Sequence, residues 1–438
     1  MNSQPPMQHS HAHPERTAQS VRILSPDLAR GLALLGIALA NVATAWLPVS
    51  GSIEASSLGG VIDGSVAEKT AAVLAAMFVH VRGLPMFSAL LGYGLGMIVA
   101  SLARRGYPLN RARSVIVRRY GLLAVFGVIH LVFLFFGDIM FFYGLAGMVM
   151  ATMITFRDRT LYRIAGVMFG ISIISNIFIG IATSSMSQSG DLTDLPADSY
   201  PGYVGIALIM LMAQVLTLPI QALFLLPLVI LGFLAARHGV LSRVDEFRKQ
   251  FWWAVGVAVA VIMVIGLPWG LAEIGVLPHS WATILSALNQ ALGPLTGPGI
   301  AAAIALAVQP LQRRLAGAGE AGAPEKPPLA VRMVAALGAR SMSGYITQSI
   351  LFLIFTQSFT LGWGIGDGIL TSSAIAALVW AITVVLAFIL ELLGRRGPFE
   401  TVHRYLSYGR SGLQNPYVDP RAQTGVATRS TDQDQTRP

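Results

Sequence analysis

The chain has 438 residues, a net charge of +9 and no cysteine. It is 54% hydrophobic and only 12% charged, against about 25% charged in an ordinary soluble domain, which excludes a soluble globular fold; the missing cysteine excludes disulfides, thiolate nucleophiles and Cys metal sites. Nucleic acid is not the partner that the positive charge implies, because Arg and Lys are dispersed over connections that flank apolar runs.

Residues 1–24 read as a disordered tail, with His9, His11 and His13 as part of a solvated segment rather than a metal tract. A predominantly apolar stretch of about 20 residues spans a bilayer as a helix. Ten such runs follow, at 30–49, 84–102, 115–134, 139–156, 162–182, 215–236, 251–272, 284–309, 343–362 and 371–393. The first is too long for a signal-peptide core and stays as a span. Every second connection is basic, and those between are short or acidic. The positive-inside rule therefore predicts an all-α, multi-pass protein with ten transmembrane helices and both termini cytoplasmic. The stretch 317–328, GAGEAGAPEKPP, reads as a cytoplasmic linker. It divides an eight-span block, 25–316, from a two-span block, 329–410, and residues 411–438 read as a second disordered tail.

Charged groups at membrane depth cost roughly 2.5–3.5 kcal/mol on insertion scales and face a cavity or a partner, so candidate chemistry lies there. Asp27 and Arg30, three apart, share a helix face. Ser25 then reads as an N-cap with Pro26 in the first turn. The pair is either a local ion pair or an anion-binding cluster, and Asn41 lies deeper on the same helix. Arg82, ahead of Pro85, either snorkels to the outer interface or lines an outward cavity. Arg118 and Arg119 stand at the inner end of the third run. His130 near the outer end of that run and Asp138 after the turn at Phe136–Gly137 fall at similar depth, with Tyr143 further along. An imidazole beside a carboxylate forms a general base with its orienting partner. The alternative is that Asp138 caps a helix and His130 bonds a carbonyl. The GPLTGPGI segment at 293–300 reads as a helix break, either lining a substrate path or merely kinking a span.

Four separated stretches resemble the YeiB-like bacterial inner-membrane family, whose C-terminal part is a domain of unknown function (418). The opening span resembles the family's DxxRGxAxLGIxxxN through Asp27, Arg30, Gly31, Gly36 and Asn41. The hairpin resembles GxxH…GDILxxYGL through Gly127, His130, Gly137, Asp138 and Tyr143, with Met140 in place of Leu. GARSMSGYITQS at 338–349 keeps Tyr345, Gln348 and Ser349 but has Gly344 where the family has Asn. GPFETVHRYLSYG at 397–409 keeps Glu400, Arg404 and Tyr408 but has Thr401 and His403 at two Trp positions. The family is similar in its opening span to transmembrane acyltransferases. That resemblance implies an inner-membrane enzyme that moves an acyl group from a cytoplasmic donor, such as acyl-CoA, to an envelope lipid or glycan outside. On the acyl-transfer reading, the residues at membrane depth divide as follows: His130 is the general base and Asp138 orients it, and Asp27, Arg30, Asn41, Arg82, Arg118, Arg119 and Tyr143 are the substrate-binding residues. No cofactor or metal is implied. A transporter or lipid flippase, or a non-enzymatic scaffold, remains the alternative.

Overall fold

The computed structural model describes residues 23–47, 58–184, 197–320 and 325–418, and every regular element among them is helical. Helix α1 (Ser25–Asn41) continues into a π-helical turn, Val42–Trp46. Then come α2 (Val66–Phe78), α3 (Gly83–Arg104), α4 (Leu109–Phe133), α5 (Met140–Met153), α6 (Asp158–Ser184) and α7 (Tyr200–Arg237). The second half holds α8 (Arg248–Val261), α9 (Leu267–Glu273), α10 (Ser280–Leu292), α11 (Thr296–Glu320) and α12 (Leu329–Ala339). The chain closes with α13 (Ser341–Thr356), α14 (Gly368–Leu392) and α15 (Pro398–Tyr408).

Among the described residues, eight helical stretches of 22 to 39 residues are long and apolar enough to cross a membrane. The expected spans at 139–156 and 343–362 are α5 and α13, of 14 and 16 residues, shorter than the roughly 20 of an average span, but each still runs from one end of the bundle to the other: Arg113 at the start of α4 bonds Thr155 just past α5, and Ser358 just past α13 bonds the Ala197 carbonyl ahead of α7. The ten expected runs therefore resolve into eight long helices and two short ones. Large apolar side chains line the outside: Phe178 is 72% exposed and Leu216 78%. Such a belt would associate in water, and hydrocarbon is the solvent that fits it. The chain is a multi-pass integral membrane protein.

Small residues set the helix spacing where it matters for the site. A Cβ on Gly127 of α4 would lie 2.1 Å from the Phe141 backbone nitrogen, and one on Gly144 of α5 would lie 2.4 Å from that of Ala124. The two backbones of this hairpin thus touch directly, as small residues allow between membrane helices. Gly338 of α12 approaches α1 in the same way; a Cβ there would lie 1.7 Å from the Asp27 carbonyl oxygen.

Two local expectations are corrected, and a third, the helix break at 293–300, is located. Ser25 is already helical, with Leu24 in the cap position and no side-chain cap bond; Pro26 in the first turn is what starts the helix. Helix α11 runs through Glu320, so the first part of the expected 317–328 linker is helical, and 321–324 lie outside the described residues. The 293–300 break is a single 3-10 turn, Gly293–Leu295, between α10 and α11. Gly297, where a Cβ would lie 2.5 Å from the Met86 nitrogen, lets the bend lie against α3. The two tails fall mostly outside the described residues.

Both ends of the described chain meet the basic end of the bundle. Leu24 N donates to Gln312 Oε1 of α11 at 3.0 Å. Arg105, in the turn after α3, donates to the Leu413 carbonyl at 3.1 Å, and Tyr417 N donates to the Arg105 carbonyl at 2.9 Å. Cytoplasmic termini are our proposal on this basis and on the alternation of charge. Reporter fusions at Gly106 and Gly239 should then signal the cytoplasm, and one at Gly275 the outside. An outside signal at Gly106 would end this orientation.

Candidate functional site

The α4–α5 hairpin brings His130 and Asp138 together. His130 ends its helix one turn before the chain turns, and Asp138 precedes the first residue of α5 by two. The His130 Nδ1 to Asp138 Oδ1 distance is 2.8 Å, with both side chains almost fully buried. The pair lies outside hydrogen-bond alignment, so it is a close charge–dipole contact rather than a well-directed bond. The other carboxylate oxygen, Oδ2, accepts from Phe141 N at 2.7 Å and so caps the opening turn of α5. One oxygen of Asp138 thus caps a helix, as one of the two expectations had it, while the other stands beside the imidazole. Gln214 of α7 donates to the Asp138 carbonyl at 2.8 Å and fixes the backbone there.

On its other side, His130 Nε2 lies 2.9 Å from Ser349 Oγ of α13. A neutral imidazole has one donor and one acceptor nitrogen. With a proton on Nδ1, facing the carboxylate, Nε2 is free to accept the Ser349 hydroxyl proton; with the proton on Nε2, the ring donates to Ser349 Oγ instead. Carboxylate, imidazole and hydroxyl are thus consecutive neighbours, at 2.8 and 2.9 Å. The Tyr345 ring, one turn before Ser349, lies 5.0 Å from the His130 ring between centroids.

Tyr345 is also the inner wall of a cavity of about 460 Å³ between α1, α3, α4, α5, α13 and α15. Its middle is apolar, with Leu34, Phe87, Leu91, Leu123 and Ile139, and its deep end has Tyr143 beside Tyr345. Tyr143 Oη lies 3.0 Å from Ser88 Oγ. Arg30, Arg119, Arg396 and Arg404 bring positive charge to the lining, with Asp27 and Glu400 the carboxylates among them. Arg30 donates to the Leu90 carbonyl at 3.0 Å and stands 3.5 Å from Asp27. Glu400 accepts from Met342 N at 2.9 Å and Ser343 N at 3.0 Å, and also from Ser343 Oγ. A carboxylate on the amino end of α13 is favourably placed against the helix dipole, and it docks α15 onto the cavity. Arg119 Nη1 donates to Tyr408 Oη at 2.9 Å, and His403 Nε2 donates to the Arg119 carbonyl at 2.8 Å.

Of the expected substrate-binding residues, Asp27, Arg30, Arg119 and Tyr143 line this cavity, and three do not. Arg118 is exposed; neighbours on a helix point about 100° apart, so Arg119 turns inward and Arg118 outward. Asn41 is half-buried at the end of α1, away from the lining. Arg82 does not snorkel, and it lies outside the lining of this cavity. It is 2% exposed and donates to the Met77 carbonyl at 3.0 Å, the Ala76 carbonyl at 3.3 Å and Asn289 Oδ1 at 2.8 Å. Those carbonyls belong to the last turn of α2, which has no intrahelical donors left for them. Ser349, Glu400 and Arg404 are the residues that sequence reasoning left without a role. Ser349, Glu400 and Arg404 matched motif positions, which was the only signal they gave.

Residues 235–410 match the family described as Protein of unknown function (DUF418). The uncharacterized protein YeiB of Escherichia coli (strain K12) is 23% identical over 418 residues, which cover 89% of this chain and 97% of YeiB. The chain is thus similar to YeiB along nearly its whole length, and its C-terminal part matches the DUF418 family. No solved structure matches it significantly. The DUF418 region contributes Tyr345, Ser349, Glu400, His403 and Arg404, whereas Arg30, Arg119, His130 and Asp138 precede it. The site is therefore assembled from both parts of the chain. Neither match carries an activity, since YeiB is itself named as uncharacterized.

The contact of α15 with α4 has a pH dependence of known sign. Burial, and then the neighbouring Arg119 charge, push His403 from its ordinary 6.5 down to about 4, against a smaller upward pull from the Arg119 carbonyl. A base whose folded pKa is depressed favours the folded state above its unfolded pKa and loses that contribution as pH falls towards the folded value. Between pH 6.5 and 4 the wild-type thermal midpoint should therefore fall more than that of His403→Gln, which keeps an amide donor without the titration. Parallel curves for the two proteins would remove His403 from the acid response.

Proposed function

We propose that this membrane protein is an inner-membrane acyltransferase. An acyl donor with an anionic head, such as an acyl-CoA, enters the cavity from the basic side, and the acyl group passes to a hydroxyl or amine of an envelope lipid or glycan. The observation that carries this reading is a cavity with cationic and apolar lining whose wall residue Tyr345 packs against His130, with ring centroids 5.0 Å apart. Guanidinium groups suit phosphate and carboxylate heads, and an apolar bore suits an acyl chain. A proton on His130 Nδ1, facing Asp138, gives the tautomer that a general base needs. A transporter built on repeats would show two equivalent halves, and the sequence shows no such repeat, which favours transfer over transport.

The test is mass spectrometry of envelope lipids and glycans from a deletion strain. One acyl mass should be missing, restored by the wild-type gene and not by His130→Ala at equal protein level. Arg30→Ala should restore it only at raised donor supply, with Asp27→Ala giving no rescue. An unchanged acyl profile in the deletion strain, or full restoration by His130→Ala, would sink the reading.

A further inference from the structure

Ser349 is buried on α13, with its hydroxyl 2.9 Å from His130 Nε2. We propose that Ser349 is the nucleophile of this site and that the acyl group is carried as an ester on its Oγ; this rests on the acyl-transfer reading above. Three groups stand in the order that activates a hydroxyl: the nucleophile, the base that takes its proton, and the carboxylate that orients the base. The chain has no cysteine, so no thiolate competes for the role. A serine in a membrane helix commonly bonds back to the carbonyl four residues earlier. That contact exists here, to Tyr345 O at 3.3 Å, but it is longer than the contact to His130, and the hydroxyl has one proton to give.

The balance is as follows for an acyl thioester donor. Ser349 Oγ attacks the carbonyl carbon while its proton moves to His130 Nε2. The carbon–sulfur bond then breaks, and the leaving thiolate takes that proton, which leaves the acyl group esterified to Ser349. The acceptor hydroxyl attacks this ester, gives its proton to His130, and Ser349 Oγ leaves with the proton returned. No oxidant or reductant is needed. The Tyr345 ring, which lines the cavity and packs against His130, has to turn aside to admit the carbonyl. A covalent carrier fits a membrane enzyme because the donor can leave towards the basic side before the acceptor arrives.

The absence of native cysteine makes the test clean. Purified Ser349→Cys protein carries a single thiol. It is incubated with acetyl-CoA and, separately, palmitoyl-CoA as probes, and its peptides are analysed by mass spectrometry. The expected result is a hydroxylamine-labile acyl adduct on the 341–356 peptide, reduced at least tenfold when His130→Ala is added. In parallel, Ser349→Ala should lose at least tenfold in acyl-CoA consumption at wild-type abundance. Wild-type turnover of a probe with no adduct on the introduced thiol, or Ser349→Ala turnover at half the wild-type rate or more, would overturn the nucleophile. Those results leave acyl transfer by His130 standing. No wild-type turnover of either probe, together with an unchanged deletion-strain acyl profile, would overturn the acyl-transfer reading and this inference with it.

Discussion

His130→Ala and Asp138→Asn should each insert at normal abundance and each lose transfer by roughly 10²–10⁴-fold, the range that a positioned general base contributes. The asparagine variant is the more informative. Its side-chain oxygen can still accept from Phe141 N, so the α5 cap survives. Its amide nitrogen then faces His130 Nδ1, which has to become an acceptor, and the ring proton moves to Nε2. In that tautomer Nε2 can no longer take a proton from Ser349. Activity falls while thermal stability holds. Asp138→Ala removes the cap as well and should add a loss of about 1 kcal/mol, readable as a lower thermal midpoint. The double variant His130→Ala/Asp138→Asn should be no worse than His130→Ala alone, because groups that act as one unit are not additive. Full activity in Asp138→Asn would show that the carboxylate only caps the helix.

The fold class was legible because apolar run length is a strong signal. The lengths of the crossings were not, since α5 and α13 are apolar yet short. The hairpin pair was legible for a local reason. His130 and Asp138 are joined by one turn, and Gly127 and Gly144 leave their helices no choice but to touch. Ser349 is 219 residues from His130, and only the packing of α13 against the hairpin makes them neighbours. The same holds for Glu400, whose partners at Met342 and Ser343 lie 58 and 57 residues away. The Arg118–Arg119 error was one of helix phase, which a basic pair near the end of a span does not reveal. Arg82 was misread because its partners are neutral oxygens from α2 and α10, and no opposite charge in the sequence announces them.

Arg82→Ala should therefore be among the most destabilising single changes outside the relay. The guanidinium satisfies the Met77 and Ala76 carbonyls and Asn289 Oδ1 in a buried site. Removing it leaves these acceptors without donors, at about 1–3 kcal/mol for each that stays unsatisfied, and opens a cavity besides. A total on the order of 4 kcal/mol is expected. The last turn of α2 would then fray, and α10 would lose its tie through Asn289. Arg82→Met restores much of the volume but none of the donors, so it should recover only part of the loss. The measurement is the yield of monodisperse protein and its thermal midpoint, set beside the donor KM of whatever folds. Both variants should lower the first two and leave KM unchanged, because Arg82 lies outside the cavity lining. Normal yield with a raised KM would return Arg82 to the substrate path and put the cavity in the wrong place.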